Sequence, residues 1–223
     1  MDLDPLYMLE VLPQLLKFLP VTLLIAVASM FFAILIGLFV ALIRFLRIPV
    51  LDQLAQLYVS LFRGIPTLVQ LFLIYYGLPQ LFPFMTTMDA LTAAIVGFSL
   101  KESSYLAEIF RAALTSVDGG QLEAGLATGM TAPQVYRRYI IPQAAYNALP
   151  ATGNIFISLL KETSVAFTLG LTELFAEAKI LASASFRFFE TFLVVGLVYW
   201  LLVIVYSWFQ GRLETRLSRA YVR

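Results

Sequence analysis

The chain has 223 residues, 61% of them hydrophobic and 13% charged; soluble domains run nearer roughly half apolar and a quarter charged, so a bilayer is its expected solvent. Its 15 basic and 14 acidic residues leave a net charge of +1, which argues against nucleic acid as a partner. The lack of cysteine and histidine removes disulfides, thiolate or imidazole metal sites and any Ser-His or Cys-His nucleophile pair.

In chain order, the amino-terminal MDLDPLYMLE is acidic and lacks the basic region of a secretory signal, which leaves insertion to the spans themselves. Phe18–Ile43 carries no charge and is bracketed by Lys17 and Arg44; about 20 apolar residues cross a bilayer, so a first transmembrane helix is predicted here. Leu54–Leu78 reads as one span with a break, because Gly64-Ile65-Pro66 interrupts it. Ala90–Leu114 and Ile140–Ala166 have apolar bodies with internal charges and read as the third and fourth spans. Phe192–Phe209 is the fifth, with Trp and Tyr towards its end as an interfacial anchor. The predicted fold is an all-α membrane bundle of about five transmembrane helices, forming one domain over residues 1–223.

Loop charge sets the expected orientation. Arg44 and Arg47 follow the first span, Arg111, Arg137 and Arg138 the third, and Arg212, Arg216, Arg219 and Arg223 the fifth, whereas the alternate loops are poor in Lys and Arg. The positive-inside rule then puts the amino terminus outside and the carboxyl terminus in the cytoplasm of a multi-pass protein of the cell membrane.

The segment EAGLATGMTAPQVYRRYIIP, Glu123–Pro142, therefore faces the cytoplasm. It has the grammar of two short helices within a loop over residues 117–140. Gly129 is a C-terminal stop for the first. Thr131 and Gln134 fit a capping box for the second, with Pro133 in its first turn. Ala124, Ala127 and Thr128 share a face at i, i+3 and i+4, which lets another chain approach closely. An ordinary tight connection would fit the same spacing.

This segment resembles the EAA loop of binding-protein-dependent ABC importer permeases: Glu123, Gly129, then nine residues before Tyr139-Ile140-Ile141-Pro142. Gly125 stands for the second alanine of that pattern, Tyr139 for isoleucine and Ile141 for leucine. FRGIPTLVQLFLIYYGLP, SYLAEIFRAALTSVDGGQLEAG and SLLKETSVA are similar to stretches of the polar amino-acid permeases, so the resemblance covers nearly the whole chain. FISLLKETSVAFTL, TELFAEAKILAS and GRLETRLSR look most like the L-cystine permeases. The resemblance implies a coupling helix, with Glu123, Ala124, Gly125, Ala127 and Gly129, docked in a groove of a cytoplasmic ATPase subunit. It further implies two such ATPases holding ATP and Mg, an extracytoplasmic amino-acid-binding protein, and a second copy of this chain or a similar permease. Glu123 is either a polar contact to the ATPase or a first-turn acid favoured by the helix dipole. No cofactor or metal is expected on this chain, which lacks the P-loop GxxxxGK[ST].

Polar residues inside the spans are the site candidates. Lys101, Ser104, Tyr105 and Glu108 fall at i, i+3, i+4 and i+7 on the third span, and Asn147, Asn154, Ser158 and Lys161 form a similar stripe on the fourth, beside Glu162. Ionisable groups in a span cost about 2.5–3.5 kcal/mol each, so these face one another or a wet cavity. One reading is mutual neutralisation between helices; the other is a transport site. The break at Gly64–Pro66 frees backbone groups at depth and suits a carboxylate, reinforced by Arg63, unless Arg63 merely snorkels to the interface. For an amino acid, Arg63 and Gly64 are the candidates for the α-carboxylate and Glu108 or Glu162 for the α-ammonium. Ser104, Tyr105 and Thr163 would supply neutral hydrogen bonds.

The expected function is the transport subunit, not an enzyme, of an ATP-driven amino-acid importer. An ion-coupled secondary transporter would also use broken helices, but no inverted repeat is visible. An integral-membrane enzyme would need a compact carboxylate or Ser-Lys pair, and none is offered.

Overall fold

The computed structural model describes residues 3–218; Arg219 and Arg223 of the basic tail, with Met1 and Asp2, lie outside the described residues. Its helices are α1 (Pro5–Leu16), α2 (Leu19–Leu46), α3 (Leu51–Gly64), α4 (Thr67–Leu81), α5 (Ala90–Thr115), α6 (Gly120–Ala127), α7 (Ala132–Leu169), α8 (Leu174–Ser185) and α9 (Phe188–Ser218). A π turn at Leu73–Gly77 interrupts α4. Another at Tyr136–Ile140 interrupts α7, which tightens to a 3₁₀ turn over Thr163–Leu169. All regular elements among the described residues are helical.

α2 and α9 are long and apolar enough to cross a membrane alone. The pair α3–α4 is bent by 110° and the pair α7–α8 by 58°, and each passes as one broken span. α5, at 26 residues, is about 39 Å long and also reaches across, although Lys101, Glu102, Glu108 and Arg111 lower its hydropathy. The bundle thus holds four to five spans.

α5 is the central rod, and small residues let α2 lie against it. A Cβ added at Gly37 would stand 2.9 Å from the Leu106 Cβ and 3.2 Å from the Ser103 carbonyl, so glycine sets the closeness of this crossing. Ser29 and Ser99 tie the same interface by hydroxyl bonds to the Ile95 and Ser29 carbonyls, both 3.3 Å. Tyr58 of α3 donates to the Leu100 carbonyl at 2.8 Å and meets Ser103 Oγ at 2.6 Å.

Two elements fall outside the sequence expectation. α1 is a helix within the acidic amino-terminal stretch, started by Asp4 as N-cap (Tyr7 N–H to Oδ1, 3.1 Å) and Pro5 in its first turn. It buries Val11 and Leu15 against Leu174, Ala178 and Val194 of α8 and α9, and Asp4 pairs with Arg187. α8 is capped by Glu173, whose buried carboxylate accepts from the N–H groups of Phe175 (3.0 Å) and Ala176 (2.8 Å), from Thr22 Oγ1 (3.3 Å) and from the Tyr199 hydroxyl (3.2 Å). One side chain thereby joins α2, α8 and α9.

Candidate functional site

The break between α3 and α4 comes from Pro66, which has no N–H, and from Ile65, which it forces into extended backbone (φ −96°, ψ 136°). Two of the carbonyls at the break are already held. Buried Gln70 reaches back and donates to the Phe62 (2.8 Å) and Ile65 (2.7 Å) carbonyls. Gln70 thus satisfies two of the backbone carbonyls that a bend inside a membrane leaves open. Arg63 is the charged positive group at the break, beside the start of α4.

Around this break the chain assembles a charged cluster. Lys101 Nζ donates to Glu102 at 2.9 Å and pairs with Glu162 of α7. Glu162 Oε1 accepts from Thr67 Oγ1 at 2.6 Å. Tyr105, one turn along from Lys101, presents its ring to two cations: Arg63 lies 5.1 Å and Lys101 5.7 Å from the ring centroid. One ammonium therefore serves two carboxylates. Arg63, which is exposed and stacked on the ring, has no carboxylate partner among the described residues.

Glu108 belongs elsewhere. It pairs with Arg44 of α2 and accepts from Arg111 Nη2 at 2.9 Å, and Arg44 also faces Asp52 at 3.8 Å. Two guanidinium groups already hold that carboxylate. Ser104 and Thr163 are fully buried and turn back onto their own helix, donating to the Lys101 (2.6 Å) and Leu160 (2.8 Å) carbonyls. Gly64 is exposed, and a Cβ there would meet nothing within 4 Å. The α7 stripe of Asn147, Asn154, Ser158 and Lys161 is exposed along its length. Lys161 makes no ion pair among the described residues, so the lysine partner of Glu162 is Lys101. Arg63, Tyr105 and Glu162 are thus brought together with Lys101 of the third-span stripe, and with Thr67 and Glu102 as members that spacing did not single out.

The loop between α5 and α7 forms the second surface. α6 buries no residue, and Glu123, Ala124, Ala127 and Thr128 are exposed. The Glu123 carboxylate makes no hydrogen bond or ion pair among the described residues. Gly129 adopts φ +83° and ends α6 in a Schellman motif, with Met130 N–H to the Gly125 carbonyl (3.2 Å) and Gly129 N–H to the Leu126 carbonyl (3.0 Å). The capping box forms, Thr131 N–H donating to Gln134 Oε1 at 2.8 Å. Gly125 has a physical reason: a Cβ there would run into the buried Val135 side chain, so glycine lets α6 fold back onto α7. Gln121 and Gln143 exchange amide bonds (3.0 and 2.5 Å), which locks this corner.

Residues 33–219 match the family described as binding-protein-dependent transport system inner membrane component. The chain is 61% identical over 215 residues to the probable amino-acid permease protein YxeN of Bacillus subtilis, covering 96% of each. It is 38% identical to the L-cystine transport system permease protein TcyL of the same organism, covering 96% of this chain and 91% of that one. A crystal structure of an amino acid ABC transporter with histidines has a chain that superposes with a TM-score of 0.87 at 36% identity, over 97% of this chain and all of that one. These relatives are permease subunits, not enzymes. By its sequence, its helical fold and its exposed corner helix, the chain belongs to the binding-protein-dependent transport system inner membrane components.

Proposed function

We propose that this chain is the permease subunit of an ATP-driven importer that carries an amino acid across the cytoplasmic membrane. The observation that carries the reading is the charge arrangement at the α3–α4 break. Arg63 is a guanidinium without a carboxylate, and Lys101 is an ammonium shared by two. A zwitterion completes both halves, its α-carboxylate on Arg63 and its α-ammonium on Glu162, with the Tyr105 ring between them. Glu108 is left to anchor α2 on α5.

The cluster lies at a surface of one chain, so a second copy or a similar permease would enclose it, with the amino terminus outside and the carboxyl terminus in the cytoplasm. The exposed small-residue face of α6 suits docking on each of two ATPase subunits, which would hold ATP and Mg, while an extracytoplasmic binding protein delivers the substrate. Among amino acids we favour L-cystine. Its two zwitterionic ends are related by a twofold axis, and two copies of the cluster across a twofold axis would meet one end each. The likeness to TcyL and to the cystine permease stretches around Lys161-Glu162-Thr163 supports this choice. YxeN, nearer in identity, is named for amino acids generally.

Uptake by the purified assembly in liposomes, competed by a panel of amino acids, tests the reading. Cystine should compete best, and analogues lacking either the carboxylate or the ammonium should fail. ATP-independent uptake driven by an ion gradient would replace this reading by an ion-coupled transporter.

A further inference from the structure

An apolar groove of about 680 Å³ opens between α2, α5 and α7, within the ~300–1,000 Å³ usual for ligand pockets. Leu38 and Leu42 of α2, Phe110 of α5, and Ala145 and Leu149 of α7 form its walls. Its lining runs from Ile34 to Leu46 on α2 and from Ile141 to Thr152 on α7, about 17–18 Å at ~1.5 Å per residue. One leaflet of hydrocarbon is about 15 Å deep. The groove is therefore as long as a single leaflet.

Its two ends differ. At one end the Phe45 and Tyr136 rings meet edge to face, centroids 6.1 Å apart. Arg47 follows Leu46 there, and Arg137 and Arg138 follow Tyr136 in the π turn. All three arginines are exposed, and none has an ion pair among the described residues. Arg44, the next basic residue on α2, is already held by Glu108 and Asp52. Free guanidinium groups at the membrane-surface end of an apolar groove match an anionic headgroup with an acyl tail, since guanidinium binds phosphate oxygens in a forked geometry.

We propose that this groove holds one acyl chain of an acidic phospholipid, with its phosphate bound by Arg47, Arg137 and Arg138. The lipid would bridge the end of α2 to the corner where α6 turns into α7, bracing the segment that carries the coupling surface. This site is separate from the charged cluster at the helix break, and its occupancy does not depend on which substrate is carried.

The test uses the assembled transporter with its ATPase subunits, offered equimolar phosphatidylglycerol and phosphatidylcholine with the same acyl chains and read by native mass spectrometry. Wild type should retain phosphatidylglycerol at least about tenfold better. The triple variant Arg47→Gln, Arg137→Gln, Arg138→Gln should lose that preference. Ala145→Trp, which fills the groove from an exposed position, should lower phosphatidylglycerol retention with the arginines intact. Equal retention of both lipids by wild type overturns the proposal, as does retention unchanged in both variants. A triple variant that sheds the ATPase subunits yet keeps phosphatidylglycerol would assign the arginines to protein docking and overturn it too. If the triple variant does not assemble, Ala145→Trp decides alone: undiminished retention there rejects the groove.

Discussion

Two charged groups on α5 are electrostatic opposites. Near its middle, one ammonium, Lys101, faces two carboxylates, Glu102 and Glu162. Two turns on, one carboxylate, Glu108, faces two guanidinium groups, Arg44 and Arg111. The second group is closed: Asp52 adds a further acid on Arg44, and the ions bind α2, α3 and α5 to each other. The first is open, because its acids outnumber its lysine and the nearby Arg63 rests on the Tyr105 ring without an acid. An open cluster can exchange an internal partner for a substrate group, whereas a closed one serves as a clasp. The same helical face thus carries a site and a fastening, and the partners brought by other helices decide which is which.

The largest effect should come from Lys101→Met, which leaves Glu102 and Glu162 without their common cation. Breaking such a pair from one side costs about 3–5 kcal/mol, so the purified assembly should melt far earlier. The double variant Lys101→Met, Glu162→Met should recover part of that loss. If the single variant melts like wild type, the open cluster is not charged as described. Next comes Glu173→Ala, which strands the Thr22 and Tyr199 hydroxyls and two helix N–H groups. With charged hydrogen bonds worth about 1.5–3 kcal/mol, a loss near 3 kcal/mol is expected in thermal unfolding, with substrate affinity of the surviving protein unchanged. A changed affinity would extend the site to the α8 cap.

The break, the Gly129 stop, the capping box and the first, third and fifth spans were legible because each is a local signal: hydropathy, a proline, a glycine at positive φ. Glu108 and Glu162 could not be sorted that way. Periodicity puts Lys101 and Glu108 on one face but says nothing of Arg44, 64 positions upstream of Glu108, or of Thr67 on another helix. Ser104 was drawn in by the same periodicity and Thr163 by its place beside Glu162 in SLLKETSVA, and neither signal reveals that a hydroxyl bonds its own helix. Gln70 and Glu173 act across bends that have no fixed sequence offset. A signal for α1 was present in Asp4-Pro5, an N-cap followed by proline in the first turn, but its 12 residues are too short to register as a span.

A moderate effect should follow at the coupling corner. Gly125→Ala, which restores the family's usual alanine, should disturb the seat of α6 on Val135 and lower transport-stimulated ATP hydrolysis. Adding Val135→Ala should restore it by making room. Gly129→Val should act similarly through positive φ, a strain of about 1–2 kcal/mol. If Gly125→Ala alone hydrolyses ATP normally, α6 does not need its present seat.

The smallest effect concerns α1. The Arg187 side chain and the Tyr7 N–H hold the Asp4 carboxyl below its ordinary value of 3.8. A lowered folded value means the contribution is complete above that pH and is lost as pH falls through the lowered value. Amide exchange over residues 5–16 should therefore be flat through neutral pH and rise only in strong acid. Asp4→Asn should exchange faster at neutral pH and lose the acid step; a step near neutrality would reject Arg187 as the clasp.

The contrast between the open and closed clusters is tested most directly by substrate affinity in two matched variants, Glu162→Gln and Glu108→Gln, each read beside its melting temperature. Each removes one charge and keeps the shape. If Glu162 takes the α-ammonium, its amide should bind substrate about tenfold or more weakly, since a charge-assisted hydrogen bond is worth roughly 1.5–3 kcal/mol. Glu108→Gln should leave affinity near wild type while melting earlier. Affinity lost in Glu108→Gln and kept in Glu162→Gln would contradict the account.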